Sequence, residues 1–122
     1  MTRQELRIKR VYQPPDAGDG VRVLVDRLWP RGLSRERAQI ELWLKEIAPS
    51  GALRRRFHGD PEHWEEFKIA YFAELEQPPA QSAVHDLLDR LRQAPVTLLF
   101  AARDETRNNA AALKEWLDEQ DG

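Results

Sequence analysis

The chain has 122 residues, of which 41% are hydrophobic and 33% charged, and a formal net charge of −2 with a pI near 5.9. This acidic balance argues against nucleic-acid binding by overall charge, and the absence of cysteine excludes disulfides, thiolate nucleophiles and thiolate-ligated metals. The polar first residues, and the lack of any apolar run near ~20 residues, predict a cytoplasmic protein without signal peptide or membrane span. The length suits one domain, expected over residues 1–122.

Three segments have the composition of β-strands. Residues 6–12 alternate apolar and basic side chains, whereas residues 21–25 and 96–102 are apolar runs typical of buried strands. The turn-rich connection over residues 13–20 is short for a parallel crossover. The first two strands are therefore expected to be either antiparallel or not adjacent.

Five helices are predicted around these strands. The first three comprise a helix capped by Ser34 that buries Ile40, Trp43, Leu44 and Ile47, a short helix capped by Ser50 and stopped by Gly59, and a helix opened by Asp60 and Pro61 that buries Trp64, Phe67, Tyr71 and Leu75. The last two are a helix that buries Val84, Leu87, Leu88 and Leu91, and one over about residues 108–118. Together these elements predict an α/β fold: a small, mainly parallel sheet of three or more strands with about five helices packed on it.

Two of the predicted strands end in an Asp and an Arg. Asp26 and Arg27 follow the strand over residues 21–25, with Arg31 close behind, and Arg103 and Asp104 follow the last strand. Because α/β proteins usually bind ligands at the carboxyl ends of their strands, these residues predict a pocket for an anionic, phosphate- or carboxylate-bearing small molecule. Asp26 is then the candidate general acid or base. The alternative is a structural role, in which Asp26 pairs with Arg103 and Arg27 with Asp104.

Two further residue types lie beside this predicted pocket. Asn108 is placed to cap the last helix, and either Asn108 or Asn109 has the alternative role of donating to a ligand. Trp29 lies in the turn after Asp26, where an aromatic ring can form a pocket wall. The predicted ligand-binding set is Arg27, Trp29, Arg31, Arg103, Asp104 and Asn108.

A run of three arginines over residues 54–56 carries a competing hypothesis. Together with Lys9 and Arg10 it suggests a non-enzymatic nucleic-acid-binding or transcription-regulatory module, although an exposed solvated face is the favoured explanation of the run in an acidic protein. His58 is a candidate for proton transfer, and its spacing to His63 does not indicate a metal site. No dinucleotide, Walker or serine-nucleophile motif is present. Nothing in the sequence specifies a cofactor or an oligomeric state.

Several strings resemble one known family. The sequence over residues 9–12 and 22–32, together with residues 43–50, 64–67 and 96–104 and the Asn108–Asn109 pair, is similar to the YeaO-like family, domain of unknown function 488. The resemblance covers nearly the whole chain and implies a small cytoplasmic bacterial α/β protein without a settled activity, so hydrolase or transferase chemistry stays open. Distant relatives carry a cysteine motif at the start of the last helix. This chain has asparagines there, so thiolate chemistry does not carry over.

Overall fold

A computed structural model describes residues 3–57 and 61–120. Its centre is a four-stranded, wholly parallel sheet. In chain order the strands are β1 (Leu6–Arg10), β2 (Val21–Leu24), β3 (Leu42–Trp43) and β4 (Val96–Phe100). The helices are α1 (Arg35–Ala38), α2 (Gly51–Phe57), α3 (Trp64–Leu75), α4 (Ala80–Gln93) and α5 (Asn109–Gln120), with short 3-10 turns at Ala17–Asp19, Lys45–Ile47 and Pro61–His63. The predicted α/β class and mainly parallel sheet are confirmed.

The strand order β1-β4-β2-β3 decides the open question about the first two strands. β4 lies between β1 and β2, so that Val96 is in register with both Leu6 and Val21. β1 and β2 are thus parallel but not adjacent. The order also puts the carboxyl ends of β2 and β4 side by side, as the predicted pocket requires.

The prediction of one long helix after Ser34 is wrong beyond its first turn. The Ser34 hydroxyl does accept a hydrogen bond from the Arg37 amide at 3.1 Å, which caps α1. The helix then ends, because Gln39 adopts a left-handed conformation with φ of 51°. Leu42–Trp43 forms β3 instead, since pairing with β2 at the open sheet edge satisfies the backbone there. The apolar residues at helical spacing over residues 40–47 therefore belong to two elements, β3 and the 3-10 turn at Lys45–Ile47, rather than to one helix.

Two hydrophobic clusters cover the two faces of the sheet. Successive strand residues point to opposite faces, and accordingly Val23 and Leu98 belong to the larger cluster while Leu24 and Leu99 belong to the smaller. The larger cluster includes the buried sides of α3, α4 and α5. The smaller cluster includes Ala38 and Ile40, and Trp29 and Trp43 pack against it. The predicted inner faces of α3 and α4 are confirmed, with Tyr71, Leu75, Val84, Leu87 and Leu91 buried and Leu88 partly buried.

The predicted caps of two other helices also form. The Ser50 hydroxyl accepts a hydrogen bond from the Leu53 amide at 3.1 Å at the start of α2. Asn108 accepts one from the Ala111 amide at 2.8 Å at the start of α5. The predicted stop at Gly59 and cap at Asp60 lie outside the described residues. Among the described helices, none combines the length and apolar character needed to cross a membrane.

Candidate functional site

Asp26 joins three elements at the carboxyl edge of the sheet. Its Oδ2 accepts a hydrogen bond from the Ala101 amide at 2.9 Å, just beyond the end of β4. Its Oδ1 accepts one from Asn109 Nδ2 at 3.0 Å, and the same Nδ2 donates to the Val25 carbonyl at 3.0 Å. The end of β2, the end of β4 and the start of α5 are therefore held together through one carboxyl group and one amide.

Burial raises the pKa of the Asp26 carboxyl above its usual value. The hydrogen bonds from Asn109 and Ala101, and the positive charge of Arg54, act in the opposite direction but do not outweigh burial. Desolvation penalises the charged form, so a carboxyl of this kind takes up a proton more readily than an exposed one. Asp26 is thus a carboxyl group with a raised pKa that lines a cleft.

A cleft of about 470 Å³ opens beside Asp26. Part of its lining comes from the segment after β2, the loop before α2, and helices α2 and α3. The rest comes from the residues that follow β1 and β4 and from the start of α5. The lining residues are Tyr12, Asp26, Arg27, Leu28, Trp29, Pro30, Arg31, Ala48, Pro49, Arg54, Phe57, Phe67, Ala101, Ala102 and Asn109. Three arginines and one aspartate are the charged members, so the cleft has a positive balance.

The arginines of the cleft differ in what they already contact. Arg27 donates to the carbonyls of Ala48 and Pro49, at 3.0 and 3.2 Å, and so holds the loop before α2 against the cleft. The side chains of Arg31 and Arg54 make no hydrogen bond or ion pair with any residue that the structure describes. Among the described residues, the Arg27 guanidinium thus binds carbonyl groups of the protein, whereas those of Arg31 and Arg54 have no such partner.

Aromatic rings in the cleft are held in place by contacts with other residues of the protein. Trp29 Nε1 donates to the Leu33 carbonyl at 2.7 Å, and its ring meets that of Trp43 edge-on at 5.3 Å. Phe67 packs edge-on against Phe57 at 6.0 Å. Trp29 lines the cleft, and its role as a wall for a ligand stays a prediction.

Three of the predicted ligand-binding residues are absent from the cleft lining. Asp104 accepts hydrogen bonds from the Thr106 and Arg107 amides, both at 2.9 Å, which hold its pKa low and shape an exposed loop. Asn108 is buried and its amide donates to the Asp104 carbonyl at 2.9 Å, besides capping α5. Arg103 is exposed in the same loop. It is the neighbouring Asn109, rather than Asn108, that reaches Asp26.

The alternative of structural ion pairs at this edge has no counterpart in the described residues. Asp26 accepts from Asn109 and Ala101, and Arg27 donates to carbonyl groups. Neither an Asp26–Arg103 nor an Arg27–Asp104 ion pair occurs in the part of the chain that the structure covers. The charges that the sequence placed together are therefore partly separated by the fold.

Sequence reasoning missed Tyr12, Phe57 and Phe67 as lining residues. Tyr12 Oη donates to the Arg31 carbonyl at 3.1 Å across the cleft rim. The sequence predicts Phe67 on the buried face of its helix, and no spacing rule shows that α2 and α3 bring the Phe57 and Phe67 rings to the sheet edge. Arg54 was visible only as one of three adjacent arginines, and the direction of each follows from where α2 packs.

No group of residues in the described ranges has the composition of a metal site. His58, whose spacing to His63 does not indicate a metal site, lies outside residues 3–57 and 61–120. The proton-transfer prediction for His58 falls outside the description for the same reason.

Comparison with known proteins gives the chain its relatives. A family model described as "Inactive DUF488-N3 subclade" matches residues 5–121. The uncharacterized protein YeaO of Escherichia coli K12 is 42% identical over 112 residues, which cover 92% of this chain and 96% of YeaO. The uncharacterized protein Rv3073c of Mycobacterium tuberculosis is 39% identical over 113 residues, 93% of each chain. No solved structure matches. These matches confirm the family resemblance read from the sequence.

Proposed function

Because this chain belongs to the YeaO-like DUF488 family, within the subclade described as inactive, we propose that its cleft binds an anionic small molecule without transforming it. One observation carries the proposal: the guanidinium groups of Arg31 and Arg54 line a cleft of about 470 Å³ and have no hydrogen-bond or ion-pair partner among the described residues. This volume lies within the range of roughly 300–1,000 Å³ found for small-molecule pockets. Guanidinium groups bind phosphate and carboxylate through paired hydrogen bonds.

The three arginine residues have different roles in this proposal. Arg31 and Arg54 contact the anion, and Arg27 adds its positive charge while its donors hold the loop at Ala48 and Pro49. Arg103 and Asp104 lie outside the cleft lining and keep only a predicted role.

Asp26 is assigned to ligand recognition rather than to acid–base chemistry. The family description as inactive favours binding alone, and the chain has no cysteine to act as a nucleophile. The catalytic role of Asp26, like hydrolase or transferase activity, stays a prediction from the sequence.

The nucleic-acid hypothesis receives less support from the contacts of its residues. Lys9 Nζ pairs with Asp19 at 3.1 Å, and Arg10 donates to the Ala101 and Ala102 carbonyls. Two of its five cations are thus engaged within the protein. Arg55 and Arg56 remain exposed on α2, and the hypothesis stays untested.

The test measures binding of phenyl phosphate, which joins a ring to an anion, by isothermal titration calorimetry. We expect the Arg54→Gln substitution to weaken binding by about tenfold or more, since a hydrogen bond between charged groups contributes roughly 1.5–3 kcal/mol. Arg55→Gln is the matched control, because Arg55 is an exposed neighbour on α2 that does not line the cleft and its loss changes the net charge equally.

Three results would contradict the proposal, in whole or in part. Equal weakening by Arg54→Gln and Arg55→Gln would show that overall charge, rather than the cleft, attracts the anion. No binding of phenyl phosphate at millimolar concentration would remove the anion site. Steady release of inorganic phosphate by the native chain would contradict the part of the proposal that excludes turnover.

A further inference from the structure

Asp26 and Asn109, which line the cleft and are joined by a hydrogen bond, form what we call its floor. Both N–H groups of the Asn109 amide are used, one toward the Val25 carbonyl and one toward Asp26 Oδ1, at 3.0 Å each. Asn109 Oδ1 has no hydrogen-bond partner among the described residues, so it is free to accept. The Asp26 oxygens each accept one hydrogen bond and retain a further lone pair. The side chains of the floor therefore offer acceptors to a ligand.

The walls beside the floor suit a flat ring. Trp29, Phe57 and Phe67 line the cleft, and their orientations are held by the ring contacts and the Trp29–Leu33 hydrogen bond described above. Phe67 is already stacked against Trp64 and Tyr71, and the Arg56 guanidinium lies over the Phe57 ring, so Trp29 is the ring that offers apolar surface for stacking. The cleft therefore suits a ligand with three features. A flat ring would pack against the aromatic wall, donors at the ring edge would bind the acceptors of the floor, and an anionic group would bind the guanidinium groups of Arg31 and Arg54.

Guanine differs from the other common bases in the edge it presents. Its ring N–H and the adjacent exocyclic amino group place two donors side by side, which match a carboxylate and an amide oxygen. Adenine and cytosine pair one amino group with a neighbouring acceptor, and uracil flanks its N–H with two carbonyl groups. An acceptor facing the floor loses its hydrogen bond to water without replacing it. We infer that the cleft binds a guanosine 5′-monophosphate, an inference that rests on the proposed anion site.

The charges agree with this placement. Arg31 and Arg54 take the phosphate, while Asp26 in its ionised form faces the donor edge of the base. The groups that act on Asp26 are Arg54 from α2 and the hydrogen-bond donors Asn109 and Ala101. A cleft of about 470 Å³ holds a single nucleotide.

The experiment is isothermal titration of the full native chain with four ligands at pH 7.5. Guanosine monophosphate is expected to bind tightest. Inosine monophosphate, which lacks only the exocyclic amino group, is expected to bind about tenfold weaker, and adenosine monophosphate about thirtyfold weaker or more. Phenyl phosphate, which has the ring and the anion but no ring-edge donor, should also bind weaker. Equal affinity for guanosine and adenosine monophosphates would overturn the inference.

A substitution at Asp26 gives a second, opposite-signed readout. Asp26→Asn replaces the carboxylate by an amide, so guanosine monophosphate is expected to lose about tenfold or more in affinity. Phenyl phosphate should instead bind tighter, because a negative charge has left the cleft. Parallel changes for both ligands would overturn the inference. If the variant does not fold, the ligand series on the native chain still decides the question.

Failure of this inference and failure of the proposed function give different results. If all ring-bearing phosphates bind equally, and Arg54→Gln weakens each, the anion site stands and the guanine assignment falls. If none binds, both fall. Guanosine 5′-phosphate also occurs at the 5′ end of nucleic acids, so a 5′-phosphorylated tetranucleotide that starts with guanosine completes the series. We expect it to bind no tighter than the mononucleotide; a tenfold gain would overturn the assignment to a free nucleotide.

Discussion

The Asn109→Asp substitution tests whether the contact between Asp26 and Asn109 holds the carboxyl edge of the sheet together. It keeps the side-chain size but replaces the Nδ2 donor, which lies 3.0 Å from both Asp26 Oδ1 and the Val25 carbonyl, by an oxygen. The Val25 carbonyl would lose this bond, at a cost of about 1–3 kcal/mol for a buried group left unsatisfied. Two carboxyl groups would also face each other.

The magnitude of the electrostatic part follows from this distance. Two charges 3 Å apart repel by about 5 kcal/mol at an effective dielectric constant of about 20. Protonating one carboxyl group instead costs about 4 kcal/mol at pH 7, since its ordinary pKa is near 4 and each unit corresponds to 1.36 kcal/mol. Protonation is the cheaper response. At pH 4.5 the same proton costs only about 1 kcal/mol, and the acid can then donate to Asp26.

The sign of the pH dependence is therefore fixed. The pKa of the carboxyl pair is raised in the folded state, so the folded state of the variant binds more protons than the unfolded state, and stability rises as the pH falls. Relative to the native chain, we expect the loss in free energy of unfolding to shrink by about 3 kcal/mol between pH 7 and pH 4.5. Urea denaturation at the two pH values measures this difference.

Two controls isolate the cause. Asn109→Ala removes the same hydrogen bonds without adding a charge. Because the Asn109 bond also lowers the pKa of Asp26, the loss should shrink at pH 4.5 here too, but by less than in Asn109→Asp. Asn108→Asp keeps the cap oxygen at the start of α5 and places its charge at a helix N-terminus, where about 1 kcal/mol or less should be lost. If Asn109→Asp lost the same stability at pH 7 and pH 4.5, the assigned contact between residues 26 and 109 would be refuted.

Two further predictions concern the frame of the sheet. Asp19→Asn should lower the free energy of unfolding by about 3–5 kcal/mol in urea denaturation. It leaves the buried Arg22 guanidinium, 2.5 Å from Asp19, without its counter-charge. Glu5→Gln, which removes an exposed ion pair, is the control and should cause no measurable loss. Burial opposes ionisation of Asp19, but hydrogen bonds from the Asp16 amide, Lys9 and Arg22 hold its pKa below the usual value. The stabilisation by the ionised Asp19 carboxylate is therefore present above about pH 4 and is lost on further acidification. Gly20→Ala should prevent stable folding, since Gly20 has a φ of 66° and an added Cβ would lie 2.2 Å from the Pro95 carbonyl oxygen. Gly32→Ala, at a φ of 73° with nothing within 4 Å, should cost only about 1 kcal/mol in thermal or urea unfolding; similar losses at both glycines would contradict the steric argument.

The sequence by itself determined the elements whose signals are local. The apolar runs of β2 and β4, the caps at Ser34, Ser50 and Asn108, and the inner faces of α3 and α4 all depend on residues within a few positions of one another. The position of Asp26 at the carboxyl edge of the sheet, beside the end of β4, also followed, because parallel strands end at the same side of a sheet.

Only the tertiary structure decided what depends on partners distant along the chain. Leu42–Trp43 became a strand because β2 offered an open edge, although the local spacing favoured a helix. Asn109 rather than Asn108 reached Asp26 because the cap of α5 engages the first amide and turns the second toward β2. Arg54, Phe57 and Phe67 entered the cleft through the packing of α2 and α3. Such contacts are chosen by the whole core, which no local pattern encodes.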